Sequence, residues 1–560
     1  MVTFDEDKQK ERIKFLRNKE EEDLVSTLSQ KYGVPYLDLT VHPINIDALR
    51  VIKEDEARTN EIAIFNIIDK KVEVGVLSPE NDRTKEIVNS LKERGYIPEI
   101  YMVSHASLEK VWDRYKDLSY SFETKAGALD VSNEEILEVI KEVKHLPDIQ
   151  RLIQDILNQK KAYRVSKILE IILAGGIALD ASDIHLEPNE KDVRLRFRLD
   201  GVLTDILNFD LETFNLLLSR LKLVSNLKLN IKEKAQDGRF SIKLADSAVE
   251  VRVSLLPGEN GESVVLRVLS PESTHVALDN HDLHPKLLEI VRKQIKKPNG
   301  MILTTGPTGS GKTTTLYAIL KEIYSPDIKI ITIENPIEYH LKGIVQTQTD
   351  EESGYTFAEG LKSSLRQDPD VIMVGEIRDA ETATTAVNAA LTGHLVLSTL
   401  HTNNAAGTFP RLLDLGINPK VISSAVNIAL AQRLVRKLCS NCKKEVPLDG
   451  EKKKLFDKVL DGIVDKSYLE EIQREKIWEP VGCPECNNSG FIDRLNIFEA
   501  ILVDDKIEKV VIQNPSERDI EAVARDQGLL NLVEDGFLKI LSGLTSLDEL
   551  RRVVDLSGVE

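Results

Sequence analysis

Long apolar runs are missing from this chain. None of its 560 residues belong to an uninterrupted apolar stretch of about 18 or more, so no transmembrane helix is predicted. The segment from Met1 to Asp23 mixes both charge signs densely and lacks the apolar centre of a secretory leader, so a cytoplasmic location is expected. A basic excess is missing too. Lys and Arg number 74 against 92 Asp and Glu, a net charge of −18. Broad nucleic-acid binding needs a basic face to neutralise phosphates, and none is expected here. Cysteine is scarce, with 4 in the whole chain, which does not suit a disulfide framework in a cytosolic protein of this size. What is present is length beyond one hydrophobic core, which predicts roughly two to four domains.

Residues 1–24 read as a charged helix. Over 1–115, short helical and strand-like runs alternate in a small α+β domain: helices at Leu24–Tyr32 and Thr84–Glu93, strands at Ile62–Ile68, Val72–Leu77 and Ile97–Val103. Residues 116–150 are polar and read as a linker ending in a helix start at Ser132–Glu135. A second α+β unit is expected over 151–275. It has helices at Val165–Leu179 and Phe214–Leu227, and strands at Phe240–Leu244, Val249–Leu255 and Ser263–Leu269. Val193–Leu199 alternates Val-Arg-Leu-Arg-Phe-Arg-Leu, a half-buried strand with an arginine face. From 286 the apolar runs lose their alternation (Met301–Leu303, Ile328–Ile333, Val371–Val374, Leu395–Leu397). That marks buried parallel strands of an α/β sheet. Residues 500–560 read as helical.

Gly306-Pro307-Thr308-Gly309-Ser310-Gly311-Lys312-Thr313 fits the P-loop pattern of a strand, a glycine-rich turn and a helix, and Thr314 follows it. Glycines let main-chain N–H groups approach phosphates, and the next helix offers its positive end. Lys312 is expected on the β and γ phosphates of ATP and Thr313 on Mg²⁺. Val371–Val374 ends in Glu376, placed for the Mg²⁺ shell. Ile328–Ile333 ends in Glu334 and Glu338, either of which can serve as the general base. His401 ends the following strand and can sense the γ-phosphate, bridge to a neighbour, or be structural.

All the cysteines lie in two pairs, Cys439-x2-Cys442 and Cys483-x2-Cys486, with residues 443–482 between them. Four thiolates at this spacing suit a closed structural Zn²⁺ site that stabilises the fold without catalysing, and basic neighbours such as Lys437, Lys443 and Lys444 favour ionised sulfur. Redox chemistry and reduced buried thiols are the competing readings.

The stretches 306–317, 368–379 and 392–403, with 181–188, 236–240, 431–439 and 534–552, resemble the secretion-superfamily hexameric ATPases of type II secretion and type IV pilus assembly. The resemblance covers roughly 150–560 strongly and the N-terminal part weakly. It implies a PAS-like N2 domain (151–275) and a RecA-like ATPase domain (286–560). The latter would carry a zinc-binding insertion (437–490) and a helical end (500–560). It implies a homohexamer that hydrolyses ATP to power pilin or pseudopilin polymerisation, peripheral to the inner membrane through a platform protein. Glu338 then becomes the catalytic glutamate, Glu376 the Walker B acid and His401 the histidine-box residue, with His394 nearby. Arg239 and Arg220 become the N2 arginines that reach the phosphates.

This sequence departs from the family pattern at Ala235, Asn335, Asn404, Asp493 and Asn496. It also lacks the Arg-Leu-Gly and glutamine-rich features of cyclic-di-GMP-binding relatives, so that ligand is not expected. Rival readings are a retraction motor of the same superfamily, a RecA-type nucleic-acid translocase and a non-hydrolysing scaffold.

Overall fold

A computed structural model describes residues 21–40, 42, 44–68, 70–117, 133–157, 164–244, 248–269, 277–351, 353–470 and 472–559. Most of the charged helix expected over 1–24 lies outside them. Among the described residues no helix is long and apolar enough to cross a membrane. The chain divides into two compact units, residues 1–123 and 124–560.

In the first unit β1 (Ile62–Ile68) and β2 (Lys71–Val76) pair antiparallel, and β2 pairs in parallel with β3 (Ile97–Met102). The parallel step needs a crossover, which the helix Asp82–Glu93 supplies. Asn81 starts that helix by accepting the Arg83 N–H at 3.1 Å. Phe65, Trp112 and Tyr115 fill the core, and the Trp112 indole N–H donates to the Ile62 carbonyl at 3.1 Å.

The second unit holds two large sheets. The first has six antiparallel strands: β4 (Asp183–Pro188), β5 (Val193–Leu199), β6 (Val202–Phe209), β7 (Gln236–Lys243), β8 (Ala248–Gly258) and β9 (Gly261–Leu269). They are ordered β6-β5-β4-β9-β8-β7. Strand period decides the faces. Val193, Leu195 and Phe197 are buried under helices, and the arginines between them face the other way. Two elements differ from the sequence reading. The helix expected at Phe214–Leu227 runs Leu211–Val224, because Asp210 caps it by accepting the Thr213 N–H at 2.8 Å. The described part of the expected linker forms helices Asn133–Glu142 and Leu146–Leu157, whose Ile136, Ile149 and Ile153 are buried in this same core. Their apolar periodicity, not the polarity of the surrounding segment, decides their place. The first turn of the second helix is reached from far away, since Asn487 Oδ1 accepts the Leu146 N–H at 3.0 Å.

The second sheet has seven strands: β10 (Gly300–Thr305), β11 (Ile330–Glu334), β12 (Val345–Gln348), β13 (Val371–Val374), β14 (Leu395–Leu400) and β15 (Val426–Leu438), with β18 (Phe491–Leu502) at its edge. A separate hairpin of β16 (Lys444–Pro447) and β17 (Lys476–Glu479) carries the insertion. The order is β12-β11-β13-β14-β10-β15-β18, parallel except for the last pair. Every residue of β10, β11, β13 and β14 is buried, as expected of strands covered on both faces. The P-loop strand β10 is separated from the acid-bearing β13 by β14, which is the RecA-like order.

The helical reading from Ala500 onward needs correction. Ala500 lies in β18, paired with Leu430 of β15, and helices begin only at Asp505. A short apolar run is ambiguous by period alone, and edge pairing to β15 decides it.

Candidate active site

Strand ends in a parallel sheet converge, and here the ends of β10, β11, β13 and β14 open into a cleft of about 1640 Å³. Its opposite wall is the polar face of the antiparallel sheet.

The P-loop leaves β10 and enters the helix Lys312–Ile323. Two of its glycines are required by space and by backbone conformation. Gly306 has φ 151° and Gly311 φ 86°; a Cβ would lie 2.6 Å from the Gln432 carbonyl O in the first and 2.7 Å from Gln432 Nε2 in the second. At Gly309 nothing lies within 4 Å, so the tip faces open space. Pro307, Thr308, Ser310, Thr313 and Thr314 line the same cleft. Lys312 Nζ donates to the carbonyls of Gly306 at 2.8 Å and Pro307 at 2.9 Å. Burial, with Arg433 adding to it and Glu376 opposing, pulls its ammonium down to about 8.

The three carboxylates differ in what they touch. Glu334 is buried and accepts from the Tyr317 hydroxyl, from Thr332 Oγ1 at 2.6 Å and from Gln346 Nε2 at 3.1 Å. Its lone pairs are committed inward. Glu338 is half-buried at the cleft, 3.4 Å from Arg252 Nη1. Burial pushes its carboxyl up, against the pull of Arg252 and Arg267. A carboxyl in that condition is suited to taking a proton. Glu376 lies between Arg378 at 2.5 Å and His401 Nε2 at 3.4 Å. His394 is at the other end of β14, where its Nδ1 pairs with the Ala389 carbonyl.

Neither Arg220 nor Arg239 lines the cleft. Arg220 is on the helix Leu211–Val224. Arg239 is on β7, the edge strand, with its side chain 70% exposed and 3.9 Å from Glu250. Arg198 and Arg267 line the cleft, and the strand register relates them to Arg239. Arg198, Asp183, Arg267, Arg252 and Arg239 are successive cross-strand partners on β5, β4, β9, β8 and β7, so they form one transverse row. Arg239 is its outer end. Asp183 accepts from Arg267 Nε at 3.0 Å and pairs with Arg198 Nε at 3.3 Å, and Arg252 Nη2 donates to the Ile337 carbonyl at 2.9 Å. Arginines directly opposite one another repel unless anions separate them. Sequence reasoning saw the alternation in β5 but not the row, because register is a tertiary fact. It also missed the buried Arg433, whose signal was only its place in Ala431–Cys439.

The cysteine thiols converge, with all four Sγ atoms within 4.8 Å of one another. Cys439–Cys483 and Cys442–Cys486 are each 3.8 Å apart, and Cys483–Cys486 3.7 Å. A tetrahedron with metal–sulfur bonds of about 2.3 Å has edges of about 3.8 Å, so the set fits Zn²⁺. Main-chain N–H groups point at the sulfurs: Gly482 to Cys442 at 3.3 Å, and Cys483 and Gly490 to Cys486 at 3.1 and 3.2 Å. Burial pushes the Cys486 thiol up, but these N–H groups outweigh it and bring it down to about 7.

Two departures from the family pattern have local reasons. Asn404 Nδ2 donates to Glu517 at 2.5 Å and Glu521 at 2.7 Å, which an aspartate cannot do. Asn496 Oδ1 accepts from Gln432 Nε2 at 2.5 Å, beside the P-loop.

The family described as "Type II/IV secretion system protein" matches residues 158–552. Among curated relatives, a "Type II secretion system protein E" of Aeromonas hydrophila is 42% identical over 400 residues, 71% of this chain and 77% of that protein. A "Type II secretion system ATPase E" of Vibrio cholerae is 43% identical over 401 residues, 71% of this chain and 77% of the relative. A "Type IV pilus assembly ATPase PilB" of Myxococcus xanthus is 36% identical over 535 residues, 95% of this chain and 91% of the relative.

Proposed function

The chain belongs to the type II/IV secretion system protein family, and from that premise we propose that it is a hexameric ATP-hydrolysing motor that powers pilin or pseudopilin polymerisation at the inner membrane. The observation that carries the reading is the cleft itself, where the P-loop, Glu338, Glu376, Arg198 and Arg267 meet. Lys312 binds the β and γ phosphates, and Thr313 and Glu376 hold Mg²⁺, which supplies charge neutralisation of the transferring phosphoryl group. Glu338 takes the proton of the attacking water. His401 orients Glu376 from the neighbouring strand. Arg252, Arg267 and Arg198 stabilise phosphate charge from the opposite sheet, so that closing the cleft completes the site. Arg239, at the row's exposed end, and Arg220 are the outward candidates for a neighbouring subunit's nucleotide.

Cys439, Cys442, Cys483 and Cys486 hold Zn²⁺ as a structural ion. The domain plan follows the two sheets: a variable N-terminal domain, an N2 domain and an ATPase domain. The motor acts from the cytoplasmic face and reaches the membrane through a platform protein. Type II secretion and type IV pilus assembly share this chemistry, and the relatives include both.

The test is ATP turnover by the full-length chain and by Glu338→Gln, with the assembly state read by sedimentation. Turnover that requires Mg²⁺ and is lost in the variant, from a hexamer, is expected. Wild-type turnover in Glu338→Gln removes the base assignment.

A further inference from the structure

Arg433 is a cation beside the P-loop to which the proposed function gives no task. It is buried, 8% exposed, at the point where β15 runs past the end of β10. Among the described residues it forms no ion pair; its guanidinium bonds only to main-chain carbonyls. Nη1 donates to its neighbour Gln432 at 3.0 Å, and Nη2 donates to Asn403 at 2.5 Å. A Cβ on Gly306 would lie 2.6 Å from the same Gln432 carbonyl and 3.0 Å from Nη1, so the guanidinium lies against the first turn of the P-loop. Its other end holds the loop that carries His401. The strands involved are not neighbours, since β10 lies between β14 and β15. Arg433 therefore crosses the end of the P-loop strand and joins what stands on either side.

The far end of this crossing is fixed from other directions as well. Thr402 N–H donates to Thr305 Oγ1 at 3.0 Å. The Asn404 amide is held by Glu517 and Glu521. The Ala405 N–H donates at 2.7 Å to Glu499, which also accepts from Leu532 at 3.3 Å. The loop has one partner on its P-loop side from β15, and that partner is a planar fork. A guanidinium presents N–H groups in fixed directions and can span two facing carbonyls; an ammonium is a single point. Glu499 supports the buried charge electrostatically without bonding to the guanidinium, whose hydrogen bonds go to two carbonyls in fixed directions, which argues that the position is occupied for geometry.

We propose that Arg433 is a positioning residue of the ATPase reaction, a strap that fixes the His401–Ala405 loop against the P-loop so that His401 and Glu376 stay in register with Lys312. This rests on the ATPase reading for its kinetic part and stands apart from it for its structural part. It makes Arg433 important for turnover and of small importance for holding ATP.

Arg433→Lys and Arg433→Met in the full chain test it. In both, kcat is expected to fall about tenfold or more while the KM for ATP changes less than about threefold, the signature of lost alignment and not of lost binding. Amide hydrogen exchange at Asn403–Ala405 is expected to quicken at least about tenfold in the same variants, without nucleotide. If Arg433→Lys keeps wild-type kcat, charge alone suffices and the strap is overturned. If both variants merely melt at lower temperature with kcat and exchange unchanged, Arg433 is packing and the proposal fails. Should Arg433→Met not fold, the lysine variant decides by kcat and exchange together. A wild-type chain without ATP turnover defeats the ATPase reading, and the exchange measurement then still decides the strap.

Discussion

The phosphate loop and the cysteine knuckle are built from the same part, main-chain N–H groups turned inward by glycines, and they differ in who supplies the anion. In the knuckle the chain provides it: Gly482, Cys483 and Gly490 donate to sulfurs of the same cluster, and the sulfurs lie at the edge length of a tetrahedron. In the loop Gly309 faces open space, and the nearby cations, Lys312 and Arg433, are buried without a bonded carboxylate. One cradle is closed on itself and serves shape. The other is completed by something that arrives and leaves.

The strongest way to break this contrast is at the closed site. Cys486→Ser, or strong chelation, should drop bound zinc below one per chain and unfold the β16–β17 excursion, because metal ligation contributes up to roughly 10–16 kcal/mol in isolated zinc modules. Metal analysis and limited proteolysis between residues 440 and 490 check it; full stability with no zinc would make the thiols ordinary core residues. At the open site Glu338→Gln should slow turnover by about 10²–10⁴-fold while nucleotide still binds. A steady-state ATPase assay with a fluorescent-nucleotide titration separates the two effects.

A finer distinction comes from pH. Lys312 lies near 8 because it is buried, so it is charged below that value and neutral above it. As pH rises through about 8, kcat/KM should fall, approaching about tenfold per unit, since this ratio reports the free enzyme. A profile flat to the alkaline side would detach that titration from binding. The smallest effect is at Asn404. Restoring aspartate there replaces two amide donors with a charge facing Glu517 and Glu521, and should cost about 1 kcal/mol at neutral pH, less in acid where carboxylates are protonated. Thermal melts at two pH values would read it.

The same contrast explains what was legible in the sequence. The P-loop and the cysteine pairs were readable because their chemistry is local: contiguous residues make one turn, and fixed spacing makes one knuckle. The buried strands β10, β13 and β14 were readable for the same reason, as apolar runs covered on both faces. Glu334 and Glu338 could not be separated, since the inward hydrogen bonds of one and the cleft-side pairing of the other come from Tyr317, Gln346 and Arg252, which are distant in sequence. That Arg267 lines the cleft while Arg239 does not could not be read from the sequence, because the register of β7, β8 and β9 was unknown. The end of β18, from Ala500, was read as helix because its partner β15 was not recognised as a strand. Arg433 had no signal beyond its place in Ala431–Cys439, for its acceptors are main-chain carbonyls that carry no side-chain identity.

The hydrogen bond from Leu146 N–H to Asn487 Oδ1 spans 341 positions. Asn487 follows Cys486 directly, so the cap comes from the edge of the metal knuckle. A ribosome releases the helix Leu146–Leu157 early and its capping residue late, after the whole P-loop sheet except β18 has been made. That helix therefore receives this bond only when the edge of the knuckle has been translated. In the order of birth a helix of the first large layer of this unit is joined by a residue made far later, and a chain truncated before residue 487 lacks that bond.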